Sequence, residues 1–148
     1  GRAPLRTAVA MLLKSAPVRL SLTQAEILLL QFRETARHRD WELMAAAVMA
    51  NHVHLVVSAS DDPDPAVLLR DFKSYGSRSL NRSDSSHQGR PWWTEHGSTR
   101  KLADETALTN AVRYVLNQEH PLTVWSDEDR LQARLPAVFV QEENHRGD

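Results

Sequence analysis

The stretch Met49-Ala50-Asn51-His52-Val53-His54-Leu55-Val56-Val57 joins two histidines to an unbroken apolar segment. Its valines and leucine have the composition of a buried strand. Because side chains alternate faces along a strand, His52 and His54 should project from one side, about 6.5–7 Å apart along the chain. Imidazoles that converge at this spacing can share one metal ion. Two polar residues on the exposed face of a half-buried strand would give the same pattern.

The composition sets limits on the chemistry. A chain of 148 residues suits one domain with its own core, and its apolar fraction of 41% is ordinary for a globular protein. The chain has no cysteine, which excludes disulfides, zinc–thiolate sites and cysteine nucleophiles. Any metal site must therefore use histidine, carboxylate or amide ligands. We expect a cytoplasmic protein, since no apolar run is long enough for a membrane span and no signal peptide is recognised.

The first half of the chain predicts a helix followed by two strands. Apolar residues recur at helical spacing over about 23–38, and Ser21 or Thr23 is suited to cap the helix. Trp41 to Ala50 and residues 52–59 then have the pattern of strands. They form either an antiparallel hairpin or one strand bent by a bulge.

The second half predicts two more helices and two more extended segments. Asp64 and Pro65 are typical of a helix start, and a core face of apolar side chains follows. Pro91 to Leu102 is interpreted as extended. A helix then runs from Asp104 to about Gln118, and Leu122 to Trp125 forms a short strand.

This order of elements predicts an α+β fold. We expect a ferredoxin-like two-layer sandwich, with a central antiparallel sheet and helices on one face. The domain should span residues 1–125, followed by a C-terminal extension over 126–148 with a disordered end at Glu142 to Asp148. Residues 1–20 leave three alternatives open: a first strand at Ala8 to Leu13, one at Pro17 to Leu20, or none.

Tyr114 and Gln118 are four residues apart in the last predicted helix, so a phenol and an amide should share one helix face. Alone, Tyr114 and Gln118 do not indicate a functional site, but they do so together with other motifs of the chain. The ordered set is His52-Val53-His54, Asp71-Phe72-Lys73-Ser74-Tyr75, Trp93 and Val112-Arg113-Tyr114-Val115-Leu116-Asn117-Gln118. Over roughly residues 22–125 it resembles the single-tyrosine HUH transposases (His, hydrophobic, His), which include insertion-sequence and REP-associated tyrosine transposases.

The resemblance implies a role for each of four residues. His52 and His54 would bind a divalent metal, Mg²⁺ or Mn²⁺, with Gln118 as third ligand, and Tyr114 would be the nucleophile. The implied function is a metal-dependent single-stranded DNA endonuclease and strand transferase that carries out DNA transposition through a 5′-phosphotyrosine. A bound metal polarises a phosphodiester, and a phenol with a pKa near ~10 needs such help to react.

Several alternatives stay open at this point. The chain could be a domesticated DNA-binding protein that no longer cuts, or a metal hydrolase that uses water. Tyr75 is the only other tyrosine and the competing nucleophile. His96 and Glu95 are further candidates for the metal site, whereas His87 is expected to be solvated in a polar loop.

A local excess of cations predicts where DNA would bind. Residues 70–101 contain seven Lys or Arg and three acids, in a chain of net charge −1. Cations can bind phosphates and an indole can stack on bases, although one of the two adjacent tryptophans should belong to the core. The expected partner is single-stranded DNA, hairpin ends included, with a homodimer also open and no membrane. The DNA-binding candidates are Arg70, Lys73, Arg78, Trp93, Arg100 and Lys101.

Overall fold

A computed structural model of the chain describes residues 6–87 and 89–139. The elements run in the order β1 (Arg6–Ser15), α1 (Leu22–His38), β2 (Glu42–Val48), β3 (His52–Ser60), α2 (Pro65–Ser83), a single 3-10 turn (Ser85–His87), β4 (Trp93–Leu102), α3 (Glu105–Leu116), β5 (Thr123–Ser126) and α4 (Glu128–Arg134). The first six helices and strands follow the β-α-β-β-α-β succession of ferredoxin-like folds. None of these helices is both long and apolar enough to cross a membrane.

The strands of the described residues form one antiparallel sheet in the order β4-β1-β3-β2-β5. The predicted α+β fold with a central antiparallel sheet is confirmed. The first strand exists and contains Ala8 to Leu13, so the second and third alternatives for residues 1–20 are wrong. β1 lies between β3 and β4, and its Val9, Met11 and Leu13 are buried. β1 is thus an interior strand, paired with β3 and β4 and buried by its apolar side chains.

One face of the sheet is covered by α1 and α2. Ser21 caps α1 in a capping box with Gln24, and Asp64 caps α2 ahead of Pro65. Phe32 of α1 and Phe72 of α2 are fully buried, with ring centroids 5.8 Å apart in an edge-to-face arrangement. These helices pack on the odd-numbered residues of β3, which are Val53, Leu55 and Val57.

The other face is covered by α3 and α4, which corrects the prediction that helices lie on one face only. Val112 of α3 and Leu131 of α4 are fully buried in a second core, together with Val56 of β3 and Ala47 of β2. A sheet that is covered on both faces needs small and apolar side chains pointing both ways. The run Ala45-Ala46-Ala47, each 0% exposed, meets that requirement.

The segment after residue 125 contributes to this second core through Leu131, Leu135 and Val138. Arg130 and Arg134 also lie against the carboxylate of Glu42 on β2, with N–O distances of 3.7 and 2.5 Å. The domain boundary at residue 125 stays a prediction. Residues 142–148, for which disorder is expected, lie outside the described part of the chain.

Gly76 of α2 packs tightly against α1. A Cβ at this position would lie 3.2 Å from Leu28 Cδ2 and 3.5 Å from a ring carbon of Phe32. We expect Gly76→Leu to lower the free energy of unfolding by about 1–3 kcal/mol, because extra carbons must displace buried neighbours. Urea denaturation measures it, with Arg82→Leu at an exposed position of the same helix as control. If Gly76→Leu and the wild type had equal free energies of unfolding, the interface between α1 and α2 would have room for the added side chain.

Candidate active site

The two histidines face the same side of the sheet, as predicted. β2 and β3 form the antiparallel hairpin, with the Met49 amide donating to the His52 carbonyl at 2.8 Å. The alternative of one bent strand is wrong. His52 and His54 start β3, and the alternation of the strand turns both towards the face that α3 covers. Their ring centroids are 4.9 Å apart, so the two imidazoles are adjacent.

Tyr114 lies on α3, next to this pair of histidines. Asp104 caps the helix, and the buried residues Ala111, Val112 and Val115 hold its inner face on the sheet. Tyr114 lies on the outer edge of that face, with its ring centroid 5.5 Å from that of His54 in an edge-to-face arrangement. Its side chain remains 62% exposed, so a large substrate can reach the phenol.

Gln118 lies just beyond the end of α3, which stops at Leu116 rather than continuing through residue 118. Its Nε2 donates to the carbonyl of Tyr114 at 3.0 Å, which leaves the amide oxygen free. Gln118, Tyr114, His52 and His54 line one open groove of about 610 Å³. The structure thus places all four residues of the predicted catalytic and metal site together.

Both imidazoles are held in the neutral state that metal ligands require. Burial, and secondly the repulsion from His52 when that imidazole is protonated, lower the pKa of His54 from 6.5 to about 4. Burial and the ammonium of Lys14 lower the pKa of His52. Nδ1 of His52 lies 2.6 Å from Oδ1 of Asn51, which fits an N–H that donates to the amide oxygen. In a neutral imidazole this tautomer leaves Nε2 as the free ligand atom.

The donor set fits a divalent ion through two neutral imidazoles and one amide oxygen. Among residues 6–87 and 89–139, no group of three or more His, Cys, Asp or Glu is placed to hold a metal. Any third protein ligand beside His52 and His54 would therefore be of another type, and Gln118 is the candidate in the groove, because the amide oxygen of Asn51 already contacts Nδ1 of His52. Such a set leaves coordination positions for phosphate oxygens and water, which Mg²⁺ and Mn²⁺ accept readily.

The predicted DNA-binding residues divide between the two sides of the sheet. Arg100 of β4 lies with Tyr114 and His54 around a smaller pocket of about 200 Å³ next to the groove. Arg70 and Arg78 are exposed on α2, which packs on the opposite face. Lys101 is paired with Asp62 at 3.1 Å. Only Arg100 of this set is therefore next to the catalytic candidates.

Lys73 and Trp93 have structural contacts that the sequence pattern did not indicate. Nζ of Lys73 donates to the carbonyls of Thr94 and His96 at 3.1 and 3.5 Å and so holds the edge strand β4. Trp93 is only 8% exposed, and its indole donates to the carbonyl of Lys73 at 3.0 Å. Stacking of a DNA base on Trp93 would require the ring to leave the core, which corrects its assignment to the DNA surface.

His87 is 5% exposed, so the expectation that it is solvated is wrong. Its ring stacks on Trp92 with centroids 3.7 Å apart and an angle of 19° between the planes. Trp92 is buried too, and its indole donates to Asn81 Oδ1 at 2.8 Å. The stacked rings of His87 and Trp92 pack between the end of α2 and the loop that leads to β4. Trp92 and Trp93 therefore both belong to the core.

The other candidates do not line the groove. Tyr75 is on α2, under the guanidinium of Arg78 at 5.2 Å, and borders a separate cleft of about 150 Å³ between α1 and α2. His96 and Glu95 are exposed on β4, and neither lines the groove. The geometry therefore favours Tyr114 over Tyr75 as the residue next to the histidines.

Two cationic residues that line the groove were not predicted from the sequence. Lys14 lies at the end of β1, directly opposite His52 in the strand register, and Arg19 lies in the connection to α1. Both line the groove with the histidines. The pairing of β1 with β3 brings Lys14 to the site, and no local motif marks that pairing.

The family model of the IS200-like transposases matches residues 17–118. This is more than half of the chain, and the protein belongs to that family. The resemblance drawn from the sequence is confirmed, and family membership implies a DNA-cutting kind of enzyme. No curated protein matches the chain.

Two solved structures share the fold. A REP-associated tyrosine transposase bound to a REP hairpin is 17% identical, with a TM-score of 0.56 over 78% of this chain and 68% of that one. A protein from Deinococcus radiodurans assigned as a transposase is 20% identical, with a TM-score of 0.57 over 81% of this chain and 95% of that one. At these identities the comparison supports the fold alone.

Proposed function

We propose that this protein is a metal-dependent single-stranded DNA endonuclease and strand transferase with Tyr114 as its nucleophile. The observation that supports the proposal best is the meeting of four residues from separate elements in one groove. His52 and His54 come from β3, and Tyr114 and Gln118 come from α3 and the turn after it. Packing of a core does not require an exposed tyrosine beside two half-buried, neutral histidines.

His52, His54 and Gln118 would hold the metal, and members of the family generally depend on one. A bound Mg²⁺ or Mn²⁺ would polarise a phosphodiester and offset the charge that develops on its oxygens. The residues of the chain prepare for this in two ways. The lowered pKa values keep both imidazoles unprotonated at neutral pH, and Asn51 fixes the tautomer of His52.

The proposed step is an in-line displacement at phosphorus. The phenol oxygen of Tyr114 loses its proton and forms a bond to phosphorus while the bond from phosphorus to the 3′-oxygen breaks. The leaving oxygen takes up a proton and becomes a free 3′-OH, and the 5′ end of the DNA stays linked to Tyr114. Attack by another 3′-OH reverses the step and joins new ends without ATP, which suits strand transfer.

The proposed partner is single-stranded DNA, including hairpin ends. An exposed Tyr114 in an open groove can accept an extended strand, and Arg100 beside it can bind a phosphate. Tyr114 and the histidines of the same chain already face one another. The proposed site can therefore form within one chain, and a homodimer, with Tyr114 acting in its own chain or on the partner, stays open.

A covalent-capture assay tests the proposal. The protein is incubated with end-labelled single-stranded DNA, with and without hairpins, in Mn²⁺, Mg²⁺ or EDTA, and separated on a denaturing gel. We expect a shifted, protease-sensitive DNA band that forms with metal and is absent in EDTA. Salt-dependent binding to the same DNA without any adduct would contradict the proposal and favour the non-cutting DNA-binding protein. Multiple-turnover hydrolysis without an adduct would favour a hydrolase that uses water.

A further inference from the structure

Lys14 stands out among the three lysines of the chain, at positions 14, 73 and 101. Lys73 donates to two carbonyls of β4, and Lys101 pairs with Asp62. Lys14 is exposed in the groove and, within residues 6–87 and 89–139, has no acidic partner. A cation that is placed beside two imidazoles without a counter-ion is available for an anionic ligand.

The register of the sheet fixes Lys14 next to the histidines. Lys14 pairs directly with His52, and opposed residues of antiparallel strands have their Cβ atoms about 4.5–5.5 Å apart on the same face. Lys14 and His52 also line the same groove, so the ammonium and the imidazole face the same space. An ion held by His52 would therefore also lie within the field of the ammonium.

The charges of the groove are unusual for a metal site. The three proposed ligands, His52, His54 and Gln118, have no formal charge. Lys14 and Arg19 add two positive charges to the wall, and no Asp or Glu is present among the described lining residues. A bare divalent cation thus meets a neutral ligand set and two like charges, whereas a phosphate oxygen would lower the repulsion from both sides.

We propose that Lys14 binds a DNA phosphate beside His52 and thereby makes metal binding depend on DNA. The inference rests on the proposed function, because it takes the groove as the place where metal and DNA meet. Lys14 disfavours the metal while the groove is empty of phosphate. When a strand enters, Lys14 holds one of its phosphates, whose negative charge then favours the metal. By linkage, the metal must strengthen DNA binding by the same factor.

A binding measurement on protein that cannot cut tests this coupling. Mn²⁺ affinity is measured by the electron paramagnetic resonance signal of free Mn²⁺, in a Tyr114→Phe background. The probe is a short mixed-sequence pool of single-stranded DNA, and Mn²⁺ binding by the DNA alone is subtracted. We expect DNA to raise Mn²⁺ affinity at least about fivefold, the size of one charge interaction with a divalent ion across a few ångströms of solvated groove.

Three variants separate Lys14 from other causes. Lys14→Gln should raise Mn²⁺ affinity without DNA about fivefold, lower DNA affinity, and lose most of the coupling. Lys14→Arg should keep the coupling, because the charge is retained. Lys101→Gln makes the same substitution at a lysine that is paired with Asp62 outside the groove. It should bind Mn²⁺ without DNA as the parent does.

The outcomes distinguish this inference from the proposed function. If the wild-type protein forms its covalent adduct but Lys14→Gln binds Mn²⁺ as the parent does, with and without DNA, the role of Lys14 is overturned and the function stands. If no Mn²⁺ binds in either condition and no adduct forms, both are overturned. A loss of coupling in Lys14→Gln that Lys14→Arg does not share supports the inference.

Discussion

Replacing Tyr114 by phenylalanine is expected to abolish the covalent protein–DNA adduct and to slow cleavage at least about a thousandfold. The substitution removes only the hydroxyl, which is the proposed nucleophile. The ring that lies edge-to-face with His54 is retained, and the exposed position tolerates the change without stress on the core. Metal and DNA affinities should therefore stay within about threefold of wild type. Single-turnover cleavage on a denaturing gel measures the rate.

Tyr75→Phe is the matched control for this experiment, since these are the two tyrosines of the chain. Tyr75 lies on α2, on the opposite side of the sheet from the histidines, so its hydroxyl should not affect the adduct. An adduct that persists in Tyr114→Phe and disappears in Tyr75→Phe would contradict the assignment of the site.

Replacing His54 by alanine is expected to lower Mn²⁺ affinity at least about a hundredfold and to remove metal-dependent cleavage. His54 is the more buried of the two imidazoles, and its pKa of about 4 favours the unprotonated, metal-binding form at neutral pH. Its loss leaves His52 and one amide as protein ligands, too few to hold the ion. Calorimetric titration with Mn²⁺ measures the affinity, and circular dichroism checks that the variant is folded.

His96→Ala is the matched control, because His96 is an exposed histidine on β4 outside the groove. It should bind Mn²⁺ as the wild type does. If Mn²⁺ affinity instead fell a hundredfold in His96→Ala and stayed normal in His54→Ala, the metal site would have to lie on β4.

The sequence predicted most elements of the fold because their signals are local. Ser21 and Asp64 start helices by capping, and the apolar run that follows His54 identifies β3. The first strand stayed open because Ala8 to Leu13 is a short apolar segment and Pro17 to Leu20 can form a short extended segment. Only pairing with β3 and β4 distinguishes them. The second helical layer was missed for a related reason, since alanines on β2 do not reveal which face they cover.

The site was predictable where residue spacing alone determines geometry. His52 and His54 share a face because they are two residues apart, and Tyr114 and Gln118 are one helical turn apart. That the two pairs meet follows from the packing of α3 on the sheet, for which the sequence offered only the family resemblance. The roles of Trp93 and Lys73 depend on long-range contacts, so composition alone assigned both to the DNA surface.

The most direct test of the account is to identify the tyrosine that carries DNA. The adduct formed by wild-type protein is digested with trypsin and nuclease, and the peptide with the remaining nucleotide is sequenced by mass spectrometry. Cleavage after Arg113 and Arg130 places Tyr114 in peptide 114–130, whereas cleavage after Lys73 and Arg78 places Tyr75 in peptide 74–78. We expect the phosphodiester mass on Tyr114. A nucleotide found on Tyr75, or on any residue outside the groove, would contradict the central claim.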